Sequence, residues 1–496
     1  MARLKKRVQR FLIPLHRYLG IALSLVMLAW FLSGGVMVFH GYPAYGLQER
    51  LADRPDLSLD AIRLSPAEAG ATLGLKQPLA AVRVTEVGIG PRMHLRTEDG
   101  GWHSVHADTG TPVAPLDRDA ARQRARAFAD APVGRATRLT EPDQWTFSGR
   151  LAAFYPLWRI TFDDDAGSVI YLSESTGEAV HRTDRRARVW GYAGAVIHWV
   201  YFTELRQSSG VWRQLVMWLA GLGCLMCLSG IVLGLWAWRT RARRRRAGGS
   251  VSPYRGWYRW HHLLGLAFGL VVFTWLFSGL LSLDPFRWAA NSPDQTSPRA
   301  WVAGGALPTP PTQSLASMTV HCDWPRDVRL VEWQPIAGEN GYRLYTASGD
   351  TTWASHQGAC AVQRLSESRA RSILAARPGH ALTDLKKLND YDAYYYPRRS
   401  NRIADKPPRL PVYRARYDDG SWAYLDPSRA EIVATFSRPQ RLERWLYRGL
   451  HDLEFPSLAP GSKLWHAVIF IALTGGTLLS TTSVWLAWRR LRPNNR

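Results

Sequence analysis

The sequence predicts a membrane α-helical plus α+β protein, with four transmembrane helices in two parallel repeats and a folded outer domain in each half. Three observations lead there: four long apolar stretches, basic clusters at consistent ends of them, and a segment of the first half that recurs in the second.

The apolar residues of this 496-residue chain collect at Phe11 to Phe39, Val211 to Trp238, His261 to Leu283 and Leu464 to Trp488. About 20 helical residues cross the hydrocarbon of a bilayer, and each stretch is long enough. The first has a basic start, as a secretory signal does, but its apolar region is too long and lacks a small-x-small cleavage site, so it reads as a retained helix.

A formal charge of +23 is compatible with nucleic acid at first sight. Arginines placed immediately beside apolar spans, however, report membrane orientation, and no nucleic-acid partner is expected. Lys5, Lys6, Arg7 and Arg10 precede the first span, Arg239, Arg241 and the run 243–246 follow the second, and Arg489, Arg490 and Arg492 follow the fourth. Both termini and the short middle loop are therefore expected in the cytoplasm of a bacterial cell, the protein in the inner membrane and the two large loops in the periplasm. The division that results is a cytoplasmic start and first helix at 1–40, an outer domain with an approach helix at 41–210, the second helix at 211–238 and a basic loop at 239–260. The third helix follows at 261–283, a second outer domain with its approach helix at 284–463, and the fourth helix with a cytoplasmic tail at 464–496.

The repeat carries the most information. HRYLGIALSLVMLAWFLSGGV from His16 and HHLLGLAFGLVVFTWLFSGLL from His261 align without gaps, matching His, Leu-Gly, Ala, Leu-Val, Trp and Ser-Gly. The far ends recur as well: GAVIHWVYFTEL around His198 is similar to GLHDLEFPSL around His451, and the spans that follow end in WAWR and WLAWRR. Halves that both start in the cytoplasm have the same orientation, so the expected relation is a pseudo-twofold axis along the membrane normal, with equivalent residues meeting across it.

The outer loops are too long to be connections and carry alternating strand patterns broken by turns. WHSVHADTGTPV, SVIYLSESTGEAV and SWAYLDPSRAEIV each read as strand, turn, strand, and AEAGATLG and ESRARSILAA as short helices, which predicts α+β modules with antiparallel sheet. VAGGALPTPPTQ at 302–313 reads as a linker. Cys322 and Cys360 fall in the second outer loop, where an oxidising compartment permits a disulfide; Cys224 and Cys227 lie within the second span and read as packing residues.

The HRYLG and HHLLG starts, the DTGTPV and STGEAV turns, PLWRITFDDDAGSVIYLS and IHWVYFTELR together resemble the PepSY-associated transmembrane helix family, over most of the chain. Asp392 to Pro427 also looks like that family's second outer domain, so the resemblance implies a PepSY-like fold for each loop. The family mixes uncharacterised proteins with inner-membrane reductases implicated in siderophore iron release and described as haem proteins. Two departures stand out: Asp426 is followed by Pro-Ser-Arg where a Thr-Gly type step is usual, and His262 duplicates the helix-start histidine.

Ionisable groups in or beside membrane spans are costly and by default functional, which makes the histidines the natural candidates. His16 and His261 start the odd spans, whereas His40, His198, His451 and His466 lie near the outer ends. A haem b held between two imidazoles takes one histidine from each of two facing segments, apolar walls and a second hydrogen-bond partner for each ring. The expected haem iron ligands are His16 with His261 at one level and His198 with His451 at the other, two haems in all, with His40, His262 and His466 as substitutes. The bland alternative is a set of interfacial histidines bonded to headgroups, water or carbonyls. His94, His181, His321, His356, His380, His103 and His106 read as surface residues.

Trp30 and Trp275, at matched positions, read as packing between helices. Tyr391, Tyr394, Tyr395 and Tyr396 with Arg398 and Arg399 would suit an anionic iron chelate, against a sheet edge with solvated arginines. No nucleotide-binding motif or Ser-His-Asp arrangement occurs, and the cytoplasmic segments are too short to fold a nucleotide domain, so electrons must come from a quinol or a separate cytoplasmic reductase. The leading expectation is a haem-containing inner-membrane reductase with a ferric siderophore or another periplasmic acceptor. The alternative is a haem-free membrane-anchored PepSY binding or regulatory module; a transporter fits less well, since the spans lack carboxylates.

Overall fold

The computed structural model describes residues 2–88, 90–244, 252–289, 297–305, 307–319, 324–355, 364–397, 408–458 and 461–492. They form two compact units, one of Met1–Tyr42, Val189–Ala290 and Pro439–Arg496, the other of Pro43–Arg188 and Asn291–Arg438. Cys322, Cys360, His321, His356, Arg398 and Arg399 lie outside the described residues.

Among the described residues, the first unit holds four helices long and apolar enough to cross a membrane, Arg7–Met37, Ser209–Trp238, Gly256–Leu281 and Lys463–Leu491. Large apolar side chains cover their outer faces as well as their inner ones: Leu25, Leu32, Trp218, Leu270 and Ile471 are more than half exposed. A helix apolar all round needs an apolar surrounding, and the chain is a multi-pass membrane protein whose solvent there is lipid. The first span packs on the second and the fourth, and the third packs on the same two, which puts the first and third at opposite corners of a bundle. Small residues bring the corners close. Phe31 of the first span lies on Gly476 and Phe268 of the third on Gly475, two consecutive glycines of the fourth. The interior is filled by Met27, Phe31, Cys224, Val272 and Leu276, with Trp30, Phe273, Trp275 and Phe277 against them. Cys224 and Cys227 are free thiols in that packing.

Among the described residues, each large loop contributes seven strands to the second unit. From the first come β1 (Leu79–Glu86), β2 (Pro91–Thr97), β3 (Trp102–His106), β4 (Val133–Leu139), β5 (Leu157–Phe162), β6 (Val169–Ser173) and β7 (Ala179–Thr183). From the second come β8 (Val328–Trp333), β9 (Gly341–Thr346), β10 (Thr351–Ser355), β11 (Leu382–Leu388), β12 (Val412–Tyr417), β13 (Trp422–Asp426) and β14 (Glu431–Phe436). The expected helices form at Pro66–Thr72 and Glu367–Ala375, each under a serine N-cap, Ser65 and Ser366. Two of the three strand-turn-strand readings appear, as β6–β7 and β13–β14. The third does not: after β3 the chain makes only an isolated bridge, Val105 to Pro112, where proline has no N–H to extend a ladder.

Sheet topology joins the two loops. β4 to β7 and β11 to β14 make separate four-stranded meanders, but β1–β3 and β8–β10 share one six-stranded sheet in the order β10-β9-β8-β1-β2-β3. Its seam is β1 against β8, antiparallel, with Arg83 opposite Glu332 and Val84 opposite Val331. Val82, Val84, Val331, Trp333 and Leu344 bury a continuous core across the seam. A buried ion network crosses it too: Arg83 reaches both Glu178 and Glu332 at 3.3 Å, and Arg54 holds Glu178 at 2.6 Å.

Burial by itself would raise the Glu178 pKa, but the Arg83 and Arg54 guanidiniums outweigh it and hold the carboxyl at about 2, below the ordinary 4.5. A depressed acid stabilises the fold above its unfolded pKa and stops doing so as pH falls through the folded value. Thermal midpoints of the full chain are therefore expected to drop between about pH 4.5 and pH 2, and Glu178→Gln to flatten that part of the profile. An unchanged profile in the variant would remove Glu178 from the acid transition.

Candidate functional site

Four histidines meet in twos inside the first unit. His16 of the first span and His261 of the third have ring centroids 6.1 Å apart, with ring planes at 44°. His198 and His451, on the segments that lead into the second and fourth spans, also stand 6.1 Å apart, at 69°.

The Nδ1 atom of each ring is tied back to a helix. His16 Nδ1 donates to the Met226 carbonyl at 2.9 Å and His198 Nδ1 to the Trp30 carbonyl at 3.1 Å, with Ser33 Oγ at 3.3 Å. His451 Nδ1 meets Ser278 Oγ at 3.0 Å, and His261 Nδ1 meets Thr482 Oγ1 at 3.1 Å. The Ser278 and Thr482 hydroxyls already donate to the carbonyls of Trp275 and Leu479, so they accept from the imidazoles. Because the partners of Nδ1 act as acceptors, all four rings donate from Nδ1, and a neutral ring of that tautomer carries its lone pair on Nε2. Burial lowers His198 and His451, which lie outside the four spans in sequence, from 6.5 to about 4, and for His451 the neighbouring His198 adds to the effect. Both are neutral at physiological pH.

Three of the four rings are seated on glycines. A Cβ on Gly230 would stand 2.5 Å from His16 Cε1, one on Gly34 3.2 Å from His198 Cε1, and one on Gly279 3.6 Å from His451 Cε1. His198 and His451 thus rest on corresponding residues of the ungapped match, Trp30, Ser33 and Gly34 for one and Trp275, Ser278 and Gly279 for the other.

The approach segments have the same local build. Each begins with a π-helical turn, Tyr192–Val196 before His198 and Arg444–Gly449 before His451. Two residues after each histidine the backbone turns left-handed, at Val200 (φ 55) and Leu453 (φ 54). Side chains of this bulk resist that region at a cost of about 1–3 kcal/mol, and it recurs where surrounding structure fixes a functional geometry. A tryptophan on the following span clamps each turn: Trp212 Nε1 donates to the Trp199 carbonyl and Trp465 Nε1 to the Asp452 carbonyl, both at 2.9 Å.

The other histidines are placed differently. His262 has both nitrogens engaged, Nε2 with the Gly234 carbonyl and Nδ1 with Ser252 Oγ, each at 3.0 Å. His466 is bonded through Nδ1 to Ser462 O of its own helix at 2.9 Å, and His40 stacks on Trp190 with centroids 4.6 Å apart. His94 and His181, expected on the surface, are buried: both nitrogens of His94 bond to Thr85 and Ser104 in the β-sheet, and His181 packs on Tyr171. Tyr395 is buried and Tyr394 half-buried in an aromatic cluster with Tyr424 and Phe436, while Tyr391 is exposed.

Two imidazoles bound on opposite sides of one metal through Nε2, at about 2.0–2.1 Å per bond, place their ring centroids about 6 Å apart. Both pairs have that spacing, with Nδ1 tied back and Nε2 left to ligate. The residues present therefore fit a bis-imidazole iron at two levels. No curated protein matches the chain. The family described as PepSY-associated TM region matches residues 13–490, nearly the whole length, and the chain belongs to that family.

Proposed function

We propose that the protein is a haem-containing inner-membrane reductase that passes electrons to a periplasmic acceptor, a ferric siderophore being the class the family resemblance implies. The observation that carries the reading is the pairing of four imidazoles at one common spacing, each with Nδ1 held by an acceptor. Matched contacts at Ser33 and Ser278, matched π turns and matched left-handed residues support two parallel repeats about a pseudo-twofold axis.

His16 with His261 would hold one haem b and His198 with His451 a second. The chemistry a haem supplies there is one-electron transfer through bis-histidine iron, with no acid-base residue required. The chain's own part is to hold and tune. Nδ1 hydrogen bonds fix the ring orientation and raise ligand basicity, and the apolar packing keeps water out. His16 and Ser33 are 17 residues apart on one helix, about 25 Å at 1.5 Å per residue, so the two pairs lie at different depths. With the basic clusters cytoplasmic, the His16 pair faces an electron donor on that side, a quinol or a separate reductase, and the His198 pair faces the periplasmic acceptor.

The test is the reduced-minus-oxidised visible spectrum of the purified protein, beside variants with His16 and His261, or His198 and His451, replaced by Ala. Two low-spin haems per chain are expected, one lost in each double variant. A folded protein that carries no haem and takes none up when it is added would overturn the reading and leave a haem-free binding module.

A further inference from the structure

Most buried arginines of the second unit meet carboxylates: Arg83 has Glu178 and Glu332, Arg343 has Glu431, and Arg414 has Asp392. One cleft breaks that pattern. It is narrow, and is lined by Arg50, Arg54 and Arg124, with Glu86, Glu178 and the ring of Phe128 among its other walls. It is built entirely from the first loop, by the helix Leu47–Ala52, the helix Arg118–Ala125, the end of β1 and the start of β7.

Charge in the cleft is unbalanced. Glu178 is already bound by Arg54 and Arg83. Among the described residues, neither Arg50 nor Arg124 has a carboxylate within ion-pair distance; Arg124 lies over the Phe128 ring, 5.0 Å from its centre. Arg50 Nε, Arg54 Nη1 and Arg124 Nε are buried without an acceptor, as are the Nε atoms of Arg83, Arg343 and Arg414, so what sets the cleft apart is that Arg50 and Arg124 lack the carboxylate those others have. Desolvation, followed by the mutual repulsion of guanidiniums, lowers the pKa of Arg50, and Arg92 beside the cleft adds to that of Arg124. Leaving guanidinium donors buried and unmet costs free energy that a well-placed acceptor recovers.

We propose that this cleft is a binding site for a small anion, held through carboxylate or phosphate oxygens by Arg50, Arg54 and Arg124. The planar fork of arginine matches both groups, and the Phe128 ring beneath Arg124 holds that guanidinium in place. The site needs neither haem nor electron transfer, so it stands or falls apart from the redox reading.

The test is thermal unfolding of the full chain in detergent, titrated with citrate and with inorganic phosphate at constant ionic strength. The midpoint is expected to rise with at least one probe. Arg50→Gln and Arg124→Gln should each weaken the response at least tenfold, with Arg124→Lys in between because it keeps the charge and loses the fork. Without probe, Arg124→Gln should unfold no earlier than the parent, since it removes a guanidinium that lacks a counter-ion. A response to citrate alone assigns carboxylates and a response to phosphate alone assigns phosphate. No response to either, or a response retained in both Gln variants, overturns the proposal.

Discussion

If the proposed pairs bind haem, Gly230→Ala is expected to abolish binding at His16 and His261 and to leave the other pair unaffected, halving the haem content per chain. The added methyl would occupy the position against which the His16 ring lies, 2.5 Å from Cε1 and 2.9 Å from Nδ1. The ring can escape only by turning away, which breaks its bond to the Met226 carbonyl and changes its placement against His261. Overpacking costs about 1–3 kcal/mol even where a core can adjust, and a misplaced ligand loses the metal as well. The three glycines under the rings form a graded series. Gly34→Ala, at 3.2 Å from His198 Cε1, should weaken haem retention at the second pair, and Gly279→Ala, at 3.6 Å, should be tolerated and gain about 1 kcal/mol of helix propensity. Haem content by pyridine haemochrome checks all three. Full haem in Gly230→Ala would mean that the His16 ring is not seated as described.

The second large effect is expected at Gly475 and Gly476. Any Cβ there falls well inside contact distance of Phe268 and Phe31, whose rings lie flat on the fourth span. Gly475→Val and Gly476→Val together should prevent the first and third spans from closing on the fourth, and purified protein should show no cooperative thermal transition. Lipid tails are as apolar as the side chains, so close packing, rather than escape from water, holds such helices together and a lost fit has no hydrophobic substitute. Gly476→Ala alone should lower the midpoint, and Phe31→Leu in that background should restore part of the loss, as a pair in direct contact requires. Absence of any rescue would show that the glycine matters for another reason.

Much of the site was readable because the ungapped match around His16 and His261 contains the residues that receive the other pair, Ser33-Gly34 and Ser278-Gly279. A Ser-Gly repeated inside two apolar helices is a signal for a ring seated on a small residue, but it does not say which ring. The π turns left no such mark, and Val200 and Leu453 are side chains that argue against a left-handed backbone. Gly230 was hidden for a different reason: His16 leans on a glycine of the second span, whereas His261 is bonded to Thr482 of the fourth, so the two halves use different chemistry there. In the outer loops, alternation marked strands and turns, but a strand pattern does not name its partner. Nothing in the residues of β1 announces that its second neighbour is β8.

That seam has a consequence for biogenesis. Val84 pairs with Val331, so the strand that completes β1 is made about 250 residues later, roughly 12–50 s at ribosomal rates of 5–20 residues per second. Throughout that interval β1 presents an open, apolar edge of the kind that recruits foreign strands. Two further spans must be threaded before the edge is closed. A chain truncated after the second span is therefore expected to be aggregation-prone, even though it holds one entire loop, and a nascent-chain holdase is a natural requirement for the intact protein.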